Sequence, residues 1–369
     1  MELIATCAFG LEKIVYDEIK KLGLWVIKTE DGRVTFEGDE SALVKANLWL
    51  RCADRILIKV GEFHAETFDE LFDQTADFEW ENAITKNDVF PVDATSVKSA
   101  LHSEPAIQSI VKKAIVTRLQ KQYKTEILPE NSGATYQIIV KANKDQFLLA
   151  IDSSGDSLHK RGYRTKANQA PMKETLAAAL VKLSDWTPDR PLYDTFCGSG
   201  TIGIEAALIA KNIAPGLKRE FTFHSWPWID KALIEECYQE AKKSIRTDVK
   251  LNINCSELDP ETTKIAESNA KNAGCGEIKF QTSDFRSLDF SKFENATFIS
   301  NPPYGERLDE RSSVEKMYSQ FGEKFQQSNN CSLFLITSNE NFPYLFGRPA
   351  DKNRKLFNGN IRCYLFMYS

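Results

Sequence analysis

The sequence predicts an α/β protein: an α+β first half, then a second half built on a seven-stranded, mostly parallel sheet with helices on both faces. Three observations carry that expectation. After residue 190, five short apolar runs alternate with helical stretches, the pattern of a parallel sheet with crossover helices. The chain then closes on "RKLFNGNIRCYLFMY", two apolar runs around Asn358-Gly359, which read as a type I′ hairpin and make the last strand antiparallel. Before residue 150, helices of 3.6-residue period are mixed with hairpin-like strand pairs, as in helices packed on mostly antiparallel strands.

In order, "FGLEKIVYDEIKKLG" carries Leu11, Ile14, Val15, Ile19 and Leu22 on one helical face and stops at Gly23. "WVIKTEDGRVTFEG" reads as two strands around Asp31-Gly32. A helix from about Ser41 to Leu50 precedes the strand "RILIKVGEF". "PAIQSIVKKAIVTRLQKQYK" is an amphipathic helix, and "TYQIIVKANKDQFLLAIDSS" is two strands around Asn143 and Lys144. The boundary between halves falls in Ile151–Glu174, "IDSSGDSLHKRGYRTKANQAPMKE". It passes from Ser, Gly and Asp to basic residues, and Pro171 is expected to open a helix from its N1 position. The second-half strands lie in "RPLYDTFCGSG", "LNINCSELD", "IKFQTSDF", "ATFISNPPYG" and "CSLFLITS".

At 369 residues, with 42% hydrophobic and 27% charged residues, the chain is long enough for two or three domains. It has no apolar run near the roughly 18 residues of a membrane span. Acidic Glu12, Asp17 and Glu18 near the N-terminus do not suit a signal peptide, so a cytoplasmic location is expected. The eight cysteines contain no CxxC and the four histidines stand apart, so neither a disulfide framework nor a metal site is expected. Cys7, Cys52, Cys237, Cys255, Cys275, Cys331 and Cys363 read as core or surface thiols. A net charge of -5 excludes indiscriminate coating of nucleic acid but leaves room for local basic surface.

The strongest constellation is "LYDTFCGSGTIGIEAALIA". A strand ends at Asp194, a turn follows with Gly198 and Gly200, and a helix opens near Thr201, so backbone N–H groups and a helix N-terminus converge on one spot. Acidic strand ends recur at Glu257 and Asp284. In an open α/β sheet, ligands sit beyond the carboxyl ends of the strands. Glu257 suits the two hydroxyls of a ribose. Asp284 suits an adenine amino group, with the Phe285 N–H beside it and Leu258 against the ring, and Asp194 suits a cationic amino group. Glycines at 198, 200 and 203 match the dinucleotide pattern only loosely, and no Walker lysine follows. A nucleoside with an amino-acid tail, S-adenosylmethionine, fits best.

"FISNPPYGERL" ends the fourth of these strands on two prolines that cannot extend a sheet ladder. Rigid Pro302 and Pro303 hold the backbone in one shape. The Asn301 side-chain oxygen and the Pro302 carbonyl can then accept both protons of an exocyclic amine, while Tyr304 offers a face for stacking and Gly305 leaves room.

These motifs resemble the class I S-adenosylmethionine-dependent methyltransferases that act on exocyclic amines, through "APMKETLAAALV", "DTFCGSGTIGIEAA", "SELDP" and "SNPPYGERL". With "DSSGDSLHKRGYR" upstream, the whole chain is similar to the THUMP-domain RNA methyltransferases, and within them to the stand-alone bacterial 23S rRNA guanine-N2 enzymes. The resemblance implies a ferredoxin-like segment over 1–44, a THUMP RNA-binding domain over 45–155, a basic linker over 156–170 and a Rossmann-like catalytic domain over 171–369. It also places Pro171, Met172 and Lys173 over the methionine end of the cofactor, and makes Cys197 a space filler in the glycine turn. The partner it implies is RNA, 23S rRNA or a ribosome assembly precursor. Lys112, Lys113, Arg118, Lys121 and Lys124 on one helix are candidate phosphate contacts, as are His159, Lys160, Arg161, Arg164 and Lys166 at the junction. Trp226 and Trp228 read as core rather than as stacking platforms. The competing readings are a tRNA guanine-N2 or adenine-N6 methyltransferase and, in another class, a non-catalytic RNA-binding or assembly factor.

Overall fold

A computed structural model describes residues 1–164, 172–305 and 308–369, the side chains of 308–310 excepted. The expectations for Lys166 and Pro171 lie outside the described residues.

The first half runs β1 (Glu2–Thr6), α1 (Glu12–Lys21), β2 (Trp25–Glu30), β3 (Arg33–Glu37), α2 (Glu40–Trp49), β4 (Arg55–His64), α3 (Phe68–Asp77), β5 (Val92–Val97), α4 (Glu104–Tyr123), β6 (Gln137–Asn143) and β7 (Gln146–Asp152). All seven strands join one sheet, ordered β2-β3-β1-β4-β7-β6-β5. β4 pairs antiparallel with β1 on one side and β7 on the other, so the ferredoxin-like and THUMP-like segments share a continuous sheet. Pairing is antiparallel except between β5 and β6, whose parallel register follows from the α4 crossover. The β6–β7 turn is Lys144-Asp145, both at positive φ, one residue later than the sequence pattern suggests.

Along β6, Ile138, Val140 and Ala142 enter the main core with Ile107, Val111 and Ile115 of α4, because side chains alternate across a strand. The opposite face holds a separate small cluster of Ile4, Leu57, Leu148 and Ala150 with Ile139, which no helix residue joins among those described.

The second half comprises α5 (Glu174–Leu183), β8 (Leu192–Asp194), α6 (Thr201–Ala210), α7 (Lys231–Lys243), β9 (Ile253–Glu257), α8 (Pro260–Ala273), β10 (Lys279–Thr282), β11 (Thr297–Ser300), α9 (Leu308–Phe325), β12 (Ser332–Thr337), α10 (Phe342–Leu345), β13 (Lys352–Asn358) and β14 (Ile361–Tyr368). The helix after the boundary begins at Glu174 with Lys173 as its N-cap. The sheet order is β10-β9-β8-β11-β12-β14-β13, and β14 is antiparallel to both of its neighbours. The closing hairpin turns on Gly359 and Asn360 rather than Asn358-Gly359. Gly359, the first turn residue, carries the positive φ, and Asn360 does not, which is the sign pattern of a type II′ rather than a type I′ turn. Strand order reverses between β8 and β11, which sets the switch-point crevice there.

The two halves are joined by buried polar contacts. Arg51 donates to the carbonyls of Ile213 (2.5 Å) and Leu208 (3.5 Å) beyond α6 and at its end. Arg161 sits 3.5 Å from Glu205 of α6 and donates to the Leu158 carbonyl at 2.6 Å. Trp226 stacks on Tyr136 with centroids 5.0 Å apart, and its indole N–H donates to Thr135. Trp226 is thus buried at the junction between halves, with Trp228 stacked behind it.

A candidate active site at the carboxyl ends of the second sheet

Each glycine of the turn after β8 has its own reason. Gly198 (φ +51°) would direct a Cβ into open space, whereas at Gly200 (φ +82°) a Cβ would lie 3.0 Å from Phe280. At Gly203 it would lie 2.6 Å from the Cys255 sulfur. The first therefore leaves room for a ligand, the second serves the backbone bend, and the third lets α6 lie close on β9. Cys197 is buried, and contact with Cys255 and burial hold its thiol protonated. It packs the turn from behind.

Asp194 is 1% exposed. Its Oδ1 accepts from the Phe196 N–H and the Ser300 hydroxyl, each at 3.2 Å, while Oδ2 is buried without a hydrogen-bond partner. Burial pushes this carboxyl up to about 7. A buried carboxylate oxygen with nothing to accept is costly, and a cationic group entering the crevice would relieve it. At the end of β9, the Glu257 carboxylate accepts N–H bonds from Gly198 (2.9 Å), Leu258 (2.9 Å) and Asp259 (3.2 Å), which fix its orientation. Leu258 is 65% exposed, so its side chain is free to cover a ring at this strand end. Asp284 caps the short 3₁₀ turn Phe285–Ser287, and Arg286 pairs with its carboxylate and holds it below the usual range. Phe285 is buried against Phe196 and Phe321. Met172 is buried in the core, and Thr201 accepts from Arg164 at 2.7 Å.

At β11, Ser300 bridges the two parts of the crevice: its hydroxyl reaches Asp194 and also accepts the Thr195 N–H at 3.3 Å. Asn301 follows directly, half-buried, with its Oδ1 accepting from the Tyr304 hydroxyl at 2.7 Å. Pro302 is buried and Pro303 exposed. The Pro303 carbonyl is held by the hydroxyl of Tyr318 on α9 (2.7 Å), which also contacts Thr337 of β12 (2.9 Å). Tyr304 is half-buried against the core, and Asn358 donates to its hydroxyl at 3.3 Å. Ser300 lies within the "SNPPYGERL" motif and Asn358 in the expected closing hairpin, while Tyr318 carries no local motif; what the sequence does not show is their partners at the corner. Those pairings form only through tertiary folding, so sequence reasoning passed over them.

The basic candidates divide. Arg161 is 3% exposed with its guanidinium turned to backbone carbonyls and Glu205, and burial removes it from any RNA-facing set. Arg164 is half-buried, spanning Thr201, the Met172 carbonyl and Glu174, so it joins the glycine turn to α5. Lys112 lies over the Phe90 ring and pairs with Glu130, and Arg118 pairs with Glu81. Lys113 and Lys160 are exposed, the latter 2.8 Å from Asp156.

A cavity of about 1160 Å³ opens on the helix-free face of the first sheet and extends to the junction. Arg33, Arg55, Lys141, Lys144, His159 and Lys173 line it, together with carboxylates such as Glu30 and Glu62 that pair with Arg33. Partial desolvation inside the cavity, then Arg33 and Arg55, press the ammonium of Lys141 below its usual pKa, although the side chain is still open to solvent. Burial and the nearby Lys173 hold His159 down at about 4, so it is neutral there. His64, Glu66 and Asp145, distant in sequence, offer atoms within 4.8 Å of one another at the surface. His64–Glu66 pairing at 3.6 Å and the Ala100 N–H on Asp145 at 2.6 Å account for that grouping. Among the described residues no helix is long and apolar enough to cross a membrane.

The crevice at the strand-order reversal suits a nucleoside with a cationic tail, and the match to a methyltransferase domain makes the protein a class I S-adenosylmethionine-dependent methyltransferase. The chain belongs to the RMKL-like methyltransferase family, whose domain matches residues 161–366, preceded by an RlmL ferredoxin-like domain (2–57) and a THUMP domain (65–152). It is 48% identical to the putative RNA methyltransferase YpsC of Bacillus subtilis, over 99% of this chain and 95% of that one. It is 33% identical to the ribosomal RNA large subunit methyltransferase K/L of Pseudoalteromonas atlantica, over 100% of this chain and 53% of the relative, so it spans about half of that protein's length. The crystal structure of SMU.472, a putative methyltransferase complexed with SAH, superposes with a TM-score of 0.94 at 43% identity, covering 100% of this chain and 97% of that one.

Proposed function

We propose that the protein methylates the exocyclic N2 of a guanine in RNA, with 23S rRNA or its assembly precursor as substrate. The observation that carries this reading is the Ser300 bridge. It ties the buried Asp194 carboxylate to the residue before Asn301, so cofactor and amine sites would lie at neighbouring strand ends. The THUMP domain and the rRNA methyltransferase K/L relatives support RNA, and 23S rRNA in particular. The open face of the first sheet, with Lys141 and Lys173 along its cavity, is the surface best disposed to take phosphates.

Bound in the crevice, S-adenosylmethionine supplies an electrophilic methyl group on sulfur. Asp194 would hold its ammonium, Glu257 its ribose, Leu258 its adenine ring and Asp284 the adenine amino group. Asn301 Oδ1 and the Pro302 carbonyl accept the two N–H groups of the target amine. These bonds draw the nitrogen lone pair out of conjugation with the base and fix its direction. Tyr304 supports the base. The attacking amine is neutral, and its surplus proton is acidic once the new bond forms, so it passes to water without a dedicated base. A paired target base must first leave its stack, at a cost of a few kcal/mol.

Mass mapping of rRNA and tRNA from cells lacking the protein tests the substrate. Loss of one N2-methylguanine from 23S rRNA is expected. Loss confined to tRNA would move the substrate, and loss of an N6-methyladenine would replace the base.

A further inference from the structure

Asn358 ends β13, far in sequence from the Asn301 corner, yet its amide donates to the Tyr304 hydroxyl (3.3 Å), which in turn reaches Asn301 Oδ1 (2.7 Å). With the Asn358 amide nitrogen facing the hydroxyl, the direction of this chain follows. A carboxamide NH₂ can only donate, so the hydroxyl spends its lone pair on Asn358 and its own proton goes to Asn301. The Cys363 thiol of β14 abuts the same hydroxyl, and burial raises the phenol's pKa, so it stays protonated and remains a donor.

An asparagine side chain by itself is poorly directed. Its terminal torsion is broad and nearly two-fold, so oxygen and nitrogen exchange places at little cost. At this corner the exchange would point an N–H, rather than an acceptor, at the target amine. We infer that Asn358 and the Tyr304 hydroxyl form a relay that sets the polarity of the Asn301 carboxamide, making Asn358 a positioning residue supplied by the C-terminal hairpin. The oxygen held by Tyr304 keeps a second lone pair for the substrate N–H, so the relay and the substrate occupy it together. Tyr304 then has two separable duties, its ring for the base and its hydroxyl for Asn301.

This inference rests on the amine-methylation reading above, and its test separates the two. Asn358→Asp is nearly isosteric but replaces the donor by an acceptor, which attracts the Tyr304 proton away from Asn301. Tyr304→Phe keeps the ring and removes the hydroxyl. Asn358→Ala removes the donor without adding charge. Steady-state kinetics on rRNA, with cofactor titration by calorimetry and thermal melts of each variant, should show kcat reduced by about tenfold in all three. KM for RNA and cofactor affinity should stay within about twofold. The double variant Asn358→Asp/Tyr304→Phe should be no slower than Tyr304→Phe alone, because both act through one chain of bonds. Wild-type kcat in folded Asn358→Asp and Asn358→Ala, or losses that multiply in the double variant, would overturn the relay. If Asn301→Ala itself turned over normally, the amine-methylation reading would fall first. If Asn301→Ala were inactive while Asn358→Asp and Asn358→Ala were normal, the relay alone would fall.

Discussion

In the second sheet, β12 buries all six residues of Ser332–Thr337 and β11 all four of Thr297–Ser300. In the first sheet, β6 alternates buried and open positions, and β2 at the edge is largely exposed. Covered on both faces, the inner strands β11 and β12 can express polar chemistry only where they stop, and at such strand ends Asp194, Glu257 and Asn301 stand. The first sheet is covered on one face, so its polar residues spread across the other. The difference teaches where function is concentrated: at an edge, a few groups do everything, whereas on a face many groups each do a little.

Breaking the joint between the sheets should have the largest effect. Arg161→Met leaves Glu205 buried beside an apolar side chain, and a loss of about 3 kcal/mol or more in unfolding free energy is expected from urea titration. An unchanged midpoint would mean that the contact between halves contributes little. At the edge, Asn301→Ala should lower turnover on the order of a hundredfold while calorimetry shows cofactor affinity nearly unchanged. Near-normal turnover would remove Asn301 from the mechanism.

Asp194 sharpens the comparison through pH. Its folded carboxyl sits at about 7 against an ordinary 3.8, so the free protein holds a proton there that the unfolded chain has released. Stability from this group is therefore lost as pH rises from about 4 to about 7. The cofactor's ammonium needs the carboxylate, so affinity should rise as much as tenfold per pH unit below about 7 and level off above it. In Asp194→Asn, calorimetry should show weaker binding with that rise gone; a wild-type pH profile in this variant would contradict the assignment. The smallest effect belongs to the face. Lys141→Ala should weaken RNA binding a few-fold and lower the slope of log affinity against log salt by about one, with cofactor binding unchanged. A loss of a hundredfold would make the face behave like an edge.

What the sequence made legible follows the same division. The strand ends at 194, 257, 284 and 301 were readable because a parallel sheet places its site where apolar runs meet Gly, Asp and Pro. β1, α3 and β5 were passed over, although Thr67 and Glu70 form a capping box that announces α3. β1 is only five residues long, and β5 mixes Asp93 and Thr95 into its pattern. The basic residues misled most, because a run of cations looks alike whether it meets solvent or, as with Arg161 and Arg164, caps carbonyls and carboxylates inside. Tyr318 went unmarked and Asn358 was read only as a hairpin residue, since nothing local announces a side-chain partner 15 or 54 residues away.

The direct test of the amine-gripping corner is the chemical position of the transferred methyl group. RNA from cells lacking the protein would be incubated with purified protein and labelled S-adenosylmethionine, then digested to nucleosides and separated. Label eluting with N2-methylguanosine is the predicted result. Label on a ring carbon or a ribose hydroxyl, where no exocyclic amine exists for Asn301 and Pro302 to hold, would contradict the account.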